Sequence, residues 1–209
     1  MSPSTAPPPT VRPAHRGEHR AVAALLARAF HDDPVYRWLF PEAAARARRL
    51  PGLMETYLRR LRPDATVELA VRDGRPVAAA VWDAPEQAVP GTPREAAALP
   101  GMLRAVRHRL PDLARLGGVL DEARPREPHW YLFHLGTEPD QQGTGGGAAL
   151  LRSMTERRDR DRLPSYLECK PELVGFYGRF GFDPIDELPV RGLDVVMRAM
   201  WRDPAPPEH

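Results

Sequence analysis

The stretch Leu135-Gly-Thr-Glu-Pro-Asp-Gln-Gln-Gly-Thr-Gly-Gly-Gly-Ala-Ala-Leu-Leu151 decides the reading of this 209-residue sequence. Glycines at 143, 145, 146 and 147 stand directly ahead of a helix whose apolar face includes Leu150, Leu151 and Met154. Glycine has no side chain to screen its amide, so successive N–H groups here can converge on an anion. The start of the helix adds unpaired donors and a partial positive charge. The segment reads as a pyrophosphate cradle. A turn that only changes direction is the competing reading, but glycine at a helix start is a poor choice for stability alone.

Two other phosphate folds fit less well. Gly143-x-Gly145-x-x-Ala148 has the dinucleotide spacing, and Glu168 follows at roughly the 20-residue distance of that fingerprint. That fingerprint follows its strand almost directly, whereas Glu138 to Gln142 intervene here, Pro139 among them. The loop also comes too late in the chain for a two-half dinucleotide sheet. A P-loop requires Gly-Lys-Ser/Thr, which is absent.

Working outward, Trp130–Thr137 reads as the strand leading into the loop, with a helix over about 145–160 behind it. A short strand (165–169), a short helix (172–179) and two closing strands (about 182–189 and 192–201) follow. Upstream, Val22, Leu25, Leu26, Ala29 and Phe30 mark one helix face, which Asp32-Asp33-Pro34 ends. A second helix is expected over about 42–61. Val67, Leu69 and Val71 alternate with Glu68, Ala70 and Arg72 as a half-buried strand. Asp73-Gly74 turns it into the run from Val77 to Trp82, giving an antiparallel hairpin. Leu99, Met102, Leu103, Val106, Leu110 and Leu113 predict two short helices within 93–121, broken near Pro111. The sum is an α/β fold with a mixed, mostly antiparallel sheet flanked by helices. Residues 1–9 and 203–209 are expected as disordered ends around one domain spanning 10–202.

The apolar fraction of 42% and charged fraction of 28% are those of a soluble globular chain. No stretch has the apolar length of a membrane span, and Met1-Ser-Pro-Ser-Thr-Ala-Pro-Pro-Pro lacks the features of a secretory signal, so a cytoplasmic location is expected. A net charge of +2 with dispersed arginines argues against nucleic acid, and the single cysteine, Cys169, excludes a disulfide and a cysteine-rich metal site. Cys169 reads as a small buried hydrophobe. No metal is expected, and the chain is expected as a monomer or homodimer.

Gln142-Gly-Thr-Gly145-Gly-Gly147, preceded by Thr137-Glu138-Pro139, resembles the Gln/Arg-x-x-Gly-x-Gly/Ala motif of the GNAT superfamily of acetyl-CoA-dependent N-acetyltransferases. Phe176-Tyr177-Gly-Arg-Phe-Gly181-Phe182 resembles that superfamily's Phe-Tyr-x-x-x-Gly-Phe segment, in the same order and at the right distance. Val11-Arg12-Pro13, Ala29-Phe30 with Pro34, Ala80-Val81-Trp82 with Pro85-Glu86, and Pro125-Arg-Glu-Pro128-His-Trp130-Tyr-Leu132 look like the puromycin N-acetyltransferase branch. Where that branch carries an asparagine shortly before the Phe-Tyr pair, this chain has Leu173.

The resemblance implies a GNAT acyl-CoA N-acyltransferase fold whose sheet splays open between the strands near 130–137 and 165–169. It implies backbone contacts from Leu135 and Thr137 to a pantetheine arm, and phosphate contacts from Gln142, Gly143, Thr144, Gly145, Gly146 and Gly147, with Phe176 beside them. Acetyl-CoA would be the co-substrate and a small-molecule amine, such as an antibiotic, the acceptor. Tyr177 takes the place of the acid that protonates the leaving thiolate. Glu168 and His134, on strands flanking the splay, are candidate bases, with a water relay as the alternative. Strand alternation predicts Tyr131, Phe133 and Leu135 on the face opposite His134. His31, Asp32 and Asp33 occupy a region that lines the acceptor pocket in relatives. Trp82 and Tyr131, with Trp38, Phe40 and Trp130, are candidates for an aromatic floor, each with core packing as its other reading. The alternatives are an acetyl-CoA-binding sensor without catalysis and an acetyltransferase for a protein N-terminus.

Overall fold

In the computed structural model, residues 7–61, 64–85 and 109–205 are described. Among them a seven-stranded sheet runs in the order β1-β2-β3-β4-β5-β7-β6. The strands are β1 (Thr10–Pro13), β2 (Thr66–Arg72), β3 (Arg75–Asp83), β4 (Trp130–Thr137), β5 (Ser165–Cys169), β6 (Asp183–Leu188) and β7 (Met197–Arg202). All neighbours pair antiparallel except β4 and β5. That order excludes the parallel doubly wound sheet of a dinucleotide fold.

The β2–β3 hairpin turns through Asp73 and Gly74, both with positive φ, as a two-residue loop of this type requires. Against expectation, β2 is not half-buried: Glu68 is fully buried, because a long helix covers that face and supplies Arg157 as its ion-pair partner. That helix, α5 (Gly146–Asp161), packs Leu150, Leu151 and Met154 on Ala70, Ala78, Ala80 and Trp82. On the opposite face, α1 (His19–Ala29) and α3 (Ala43–Arg60) bury Val22, Leu25, Leu26, Leu50, Leu53 and Met54 against Leu69, Ala79 and Val81. One buried cluster on each face packs the central strands, and a third, around Tyr131, Tyr166, Leu188 and Ala199, covers the β5–β7–β6 side.

Between α1 and α3 lies α2 (Pro34–Leu39), which the sequence reading passed over. Asp33 accepts a 3.0 Å hydrogen bond from the Val35 amide and Pro34 occupies the first turn, so the residues that stop α1 also start α2. The strand β1 was likewise unanticipated; four residues are too few for a periodic signal. The helix α4 (Leu110–Ala123) carries Pro111 in its first turn rather than at an interior break. Leu99, Met102, Leu103, Val106 and Glu86 lie outside the described residues. The expected 172–179 helix opens as a 3-10 turn over Pro171–Leu173 and continues as α6 (Val174–Gly178). The last strand starts at Met197 rather than near 192, because Gly192 turns the chain with φ +87°.

Candidate active site

Parallel pairing of β4 with β5 joins Trp130, Tyr131 and Leu132 to Ser165, Tyr166 and Leu167, and stops there. Beyond Leu132, β4 runs on to Thr137 bonded only to β3, so its other edge is open. This is the splay expected between the two strands. A cleft of about 2080 Å³ runs through it, larger than the roughly 300–1,000 Å³ of a single small-ligand site.

At one end of the cleft lies the glycine loop. Gly143 and Gly145 have φ of +76° and +94°, which L side chains rarely adopt, and no atom lies within 4 Å of where either Cβ would stand. The first bond of α5 runs from the Ala149 amide to the Gly145 carbonyl at 2.9 Å, leaving the Gly146, Gly147 and Ala148 amides ahead of it without an intrahelical acceptor. Gln142, Gly143, Gly145, Gly146, Gly147 and Ala148 all line the cleft. The cradle is thus open where an anion enters. A Cβ on Gly146 would meet Ala78 at 3.1 Å, so this glycine serves the close seating of α5 on β3 as well.

Two arginines hold the loop from behind. Arg72 donates to the Thr144 carbonyl at 2.8 Å and to Gln141 Oε1 at 3.3 Å. Arg28 of α1 makes a two-pronged contact with buried Glu138, at 2.9 and 2.5 Å. Thr144 itself turns away: its hydroxyl bonds the Gln141 carbonyl at 2.7 Å and it does not line the cleft, unlike the other candidate phosphate contacts.

A β-bulge reshapes the other wall. His134 pairs with Val81 and Leu132 with Trp82, so Phe133 is an extra residue and alternation breaks. Phe133 and His134 now share one face, both against Tyr57, with ring centroids 5.2 and 5.7 Å away. Tyr131 lies on that face too, 5.8 Å from Phe133, while Leu135 joins the core on the α5 side. The expectation that Tyr131 and Phe133 oppose His134 is therefore corrected. The bulge brings all three to one wall.

Glu168 faces the same wall. Its Oε2 accepts a 2.7 Å bond from the Tyr131 hydroxyl, and its enclosed Oε1 has only the Tyr166 hydroxyl near it, off hydrogen-bond geometry. Burial pushes its carboxyl up to about 7, against the opposing pull of Tyr131 and Arg124, and Arg124 stacks 4.2 Å over the Tyr131 ring. His134 shares a 2.7 Å hydrogen bond with the Tyr36 hydroxyl, and burial drops its ring to about 3, so it is neutral in the working range. Tyr177, from α6, is buried beside Cys169 and lines the cleft, and burial first, then Cys169 and Asp33, raise its phenol well above the usual range. It holds its proton near neutrality. Cys169 is packed as a hydrophobe, its Sγ 3.5 Å from Met200 Sδ.

The remaining candidates divide. Leu135, Thr137, Phe176, Tyr131 and Asp33 line the cleft; His31 and Asp32 line a separate small hollow, where Asp32 contacts His31 at 3.0 Å and Arg46 at 3.5 Å. Trp82 is fully buried core and does not reach the cleft, as its place on a strand covered on both faces dictates. Phe40 is core as well, and Trp130 is buried under the Arg158 guanidinium. Tyr36, Tyr57, Arg72, Arg124, Arg152 and Lys170 belong to the site or its support but escaped the sequence reading. They sit in helices and strand ends with no motif around them, and only the arginine in the β2–β3 hairpin flanks a recognisable feature. No group of three or more metal-ligating side chains occurs among the described residues, and no described helix is long and apolar enough to cross a membrane.

No family model matches the chain. Solved structures do. A protein from Corynebacterium glutamicum described as histone acetyltransferase HPA2 and related acetyltransferase superposes with a TM-score of 0.73 at 25% identity, over 97% of this chain and 100% of its own. An agmatine N-acetyltransferase variant in its apo form gives 0.61 at 18%, over 93% and 98%. An N-acetyltransferase from Staphylococcus aureus gives 0.61 at 14%, over 92% and 99%. The chain has the GNAT acyl-CoA N-acyltransferase fold.

Proposed function

We propose that this protein transfers an acetyl group from acetyl-CoA to the primary amine of a small molecule, by direct attack within a ternary complex. The open edge of β4 past Leu132, leading straight to the outward-facing amides of the glycine loop, is the observation that carries this reading. Acetyl-CoA, when bound, supplies an activated thioester. The residues present fit it: a Cβ at Gly143 or Gly145 would project into empty space, where side chains would otherwise shield the amides. Amides of Gly143, Gly145, Gly146, Gly147 and Ala148 hold the pyrophosphate, while exposed Arg152 and Arg179 at the rim of the cleft add positive charge. Leu135 and Thr137 position the pantetheine along the free strand edge.

Glu168 then receives the proton of the acceptor amine, because its carboxyl titrates near neutrality while the His134 ring is too weak a base. Tyr177, which lines the same cleft, delivers a proton to the departing sulfur. His134 fixes Tyr36 and the acceptor wall. The agmatine enzyme among the structural neighbours bears a small amine in its name, which supports a small-molecule acceptor; an antibiotic acceptor rests on the sequence resemblance alone. The test is thiol release from acetyl-CoA across a panel of aliphatic and aromatic amines. Amine-dependent release is expected. Tight acetyl-CoA binding with no release for any amine would instead support a non-catalytic sensor.

A further inference from the structure

Lys170 is the only lysine in the sequence. It stands one residue past β5, at the open end of the splay, and lines the same cleft as Glu168, Leu135 and Tyr177. Its Nζ lies 3.3 Å from Asp33 Oδ2, an ion pair that bridges the β5 side of the gap to the start of α2. Asp33 is fixed by its other oxygen, which caps α2 through the Val35 amide. The only ε-ammonium in the chain is therefore drawn to a carboxylate at the acceptor side of the gap.

Which side of the gap it occupies matters. Glu168 faces the Tyr131 hydroxyl, while Lys170, just past the end of β5, reaches the α1–α2 link through Asp33. Cys169 points the other way, into the core shared with Tyr177. A thioester lying in the cleft would be lined by both the Tyr177 phenol and the Lys170 amine. That is the arrangement an acceptor amine needs, and it is supplied here by the chain itself.

We infer that Lys170 is a self-acetylation site, modified by the protein's own acetyl-CoA when no free amine occupies the cleft. The inference rests on the acetyl-CoA reading above. The Nζ lone pair forms the new bond to the acetyl carbon as the carbon–sulfur bond breaks, and coenzyme A leaves as its thiol. Of the two protons that the ammonium gives up, one ends on the sulfur, relayed by Tyr177, and the other passes through the Asp33 carboxylate, 3.3 Å away, to solvent. The product is an uncharged amide, so the Asp33–Lys170 ion pair is lost and the Asp33 carboxylate is released to hold a cationic acceptor. Modification thus converts a closed acceptor side into an open one.

The purified chain is incubated with acetyl-CoA alone, and peptides are weighed. The expected result is one acetyl group on Lys170, gained at least about tenfold faster in the folded chain than in urea, since positioning supplies the rate, and at a rate independent of protein dilution. Lys170→Arg, which keeps the ion pair, abolishes the gain, and Tyr177→Phe slows it. In a second arm without acetyl-CoA, Lys170 reacts with formaldehyde and borane, and bound CoA protects it. Calorimetry separates the failures. If neither acetyl-CoA nor CoA binds, the function proposed above falls with the inference. If both bind yet Lys170 stays unacetylated, is labelled no faster than in urea, slows on dilution, or is not protected by CoA, the inference alone is overturned.

Discussion

Glu168 combines three properties that a surface carboxylate lacks. It is half-buried with one oxygen fully enclosed, it lies between the Tyr131 and Tyr166 hydroxyls, and it lines the cleft. Its raised titration has two consequences of opposite usefulness. Activity that needs the carboxylate rises with pH through about 7. Stability moves the other way: between the ordinary carboxylate value and about 7, the folded chain holds a proton that the unfolded chain has lost, so folding stability falls as pH rises through that window. Glu168→Gln is expected to lower kcat by about 10²-fold or more, to flatten the acidic limb of the pH–rate profile, and to remove that decline in melting temperature. A variant whose profile still breaks near pH 7 would assign the proton transfer elsewhere. His134 shows the reverse case. The same burial that raises a carboxyl lowers an imidazole, which is why residue type alone did not separate the two candidates.

At the scale of elements, the turn from β4 into α5 divides its work among neighbouring glycines. Gly145 needs its left-handed backbone and has empty space before it, so Gly145→Val strains the loop and fills the proposed phosphate seat. Gly146 is confined by Ala78, so Gly146→Val pushes α5 off β3. The first is expected to weaken acetyl-CoA binding by about tenfold or more, beyond what its backbone strain takes from the melting temperature. The second lowers the melting temperature itself. Equal effects of both on stability and binding would refute this division. Long periodic elements and this loop were legible in the sequence because glycine spacing and apolar periodicity are local signals; β4 and β5 have the expected bounds. What stayed illegible depends on partners distant in sequence. The bulge at Phe133 arises from pairing with β3, Glu68 is buried by α5, and Asp33 hides a helix start behind a helix stop.

For the molecule as a whole, two cores clamp β2, β3 and β4, and the sheet opens only where β4 and β5 part. β5 carries Glu168 and the helix after it carries Tyr177, both lining the cleft, while Arg28 and Arg72 tie the glycine loop to α1 and β2. The proposed acyl-CoA seat accounts for the opening and the cradle together. Titration calorimetry of the purified chain with acetyl-CoA tests this most directly. The account predicts one molecule bound per chain, with a Kd between about 1 μM and 1 mM, the span usual for enzyme substrates. No heat and no affinity for acetyl-CoA or free CoA in that range would contradict it.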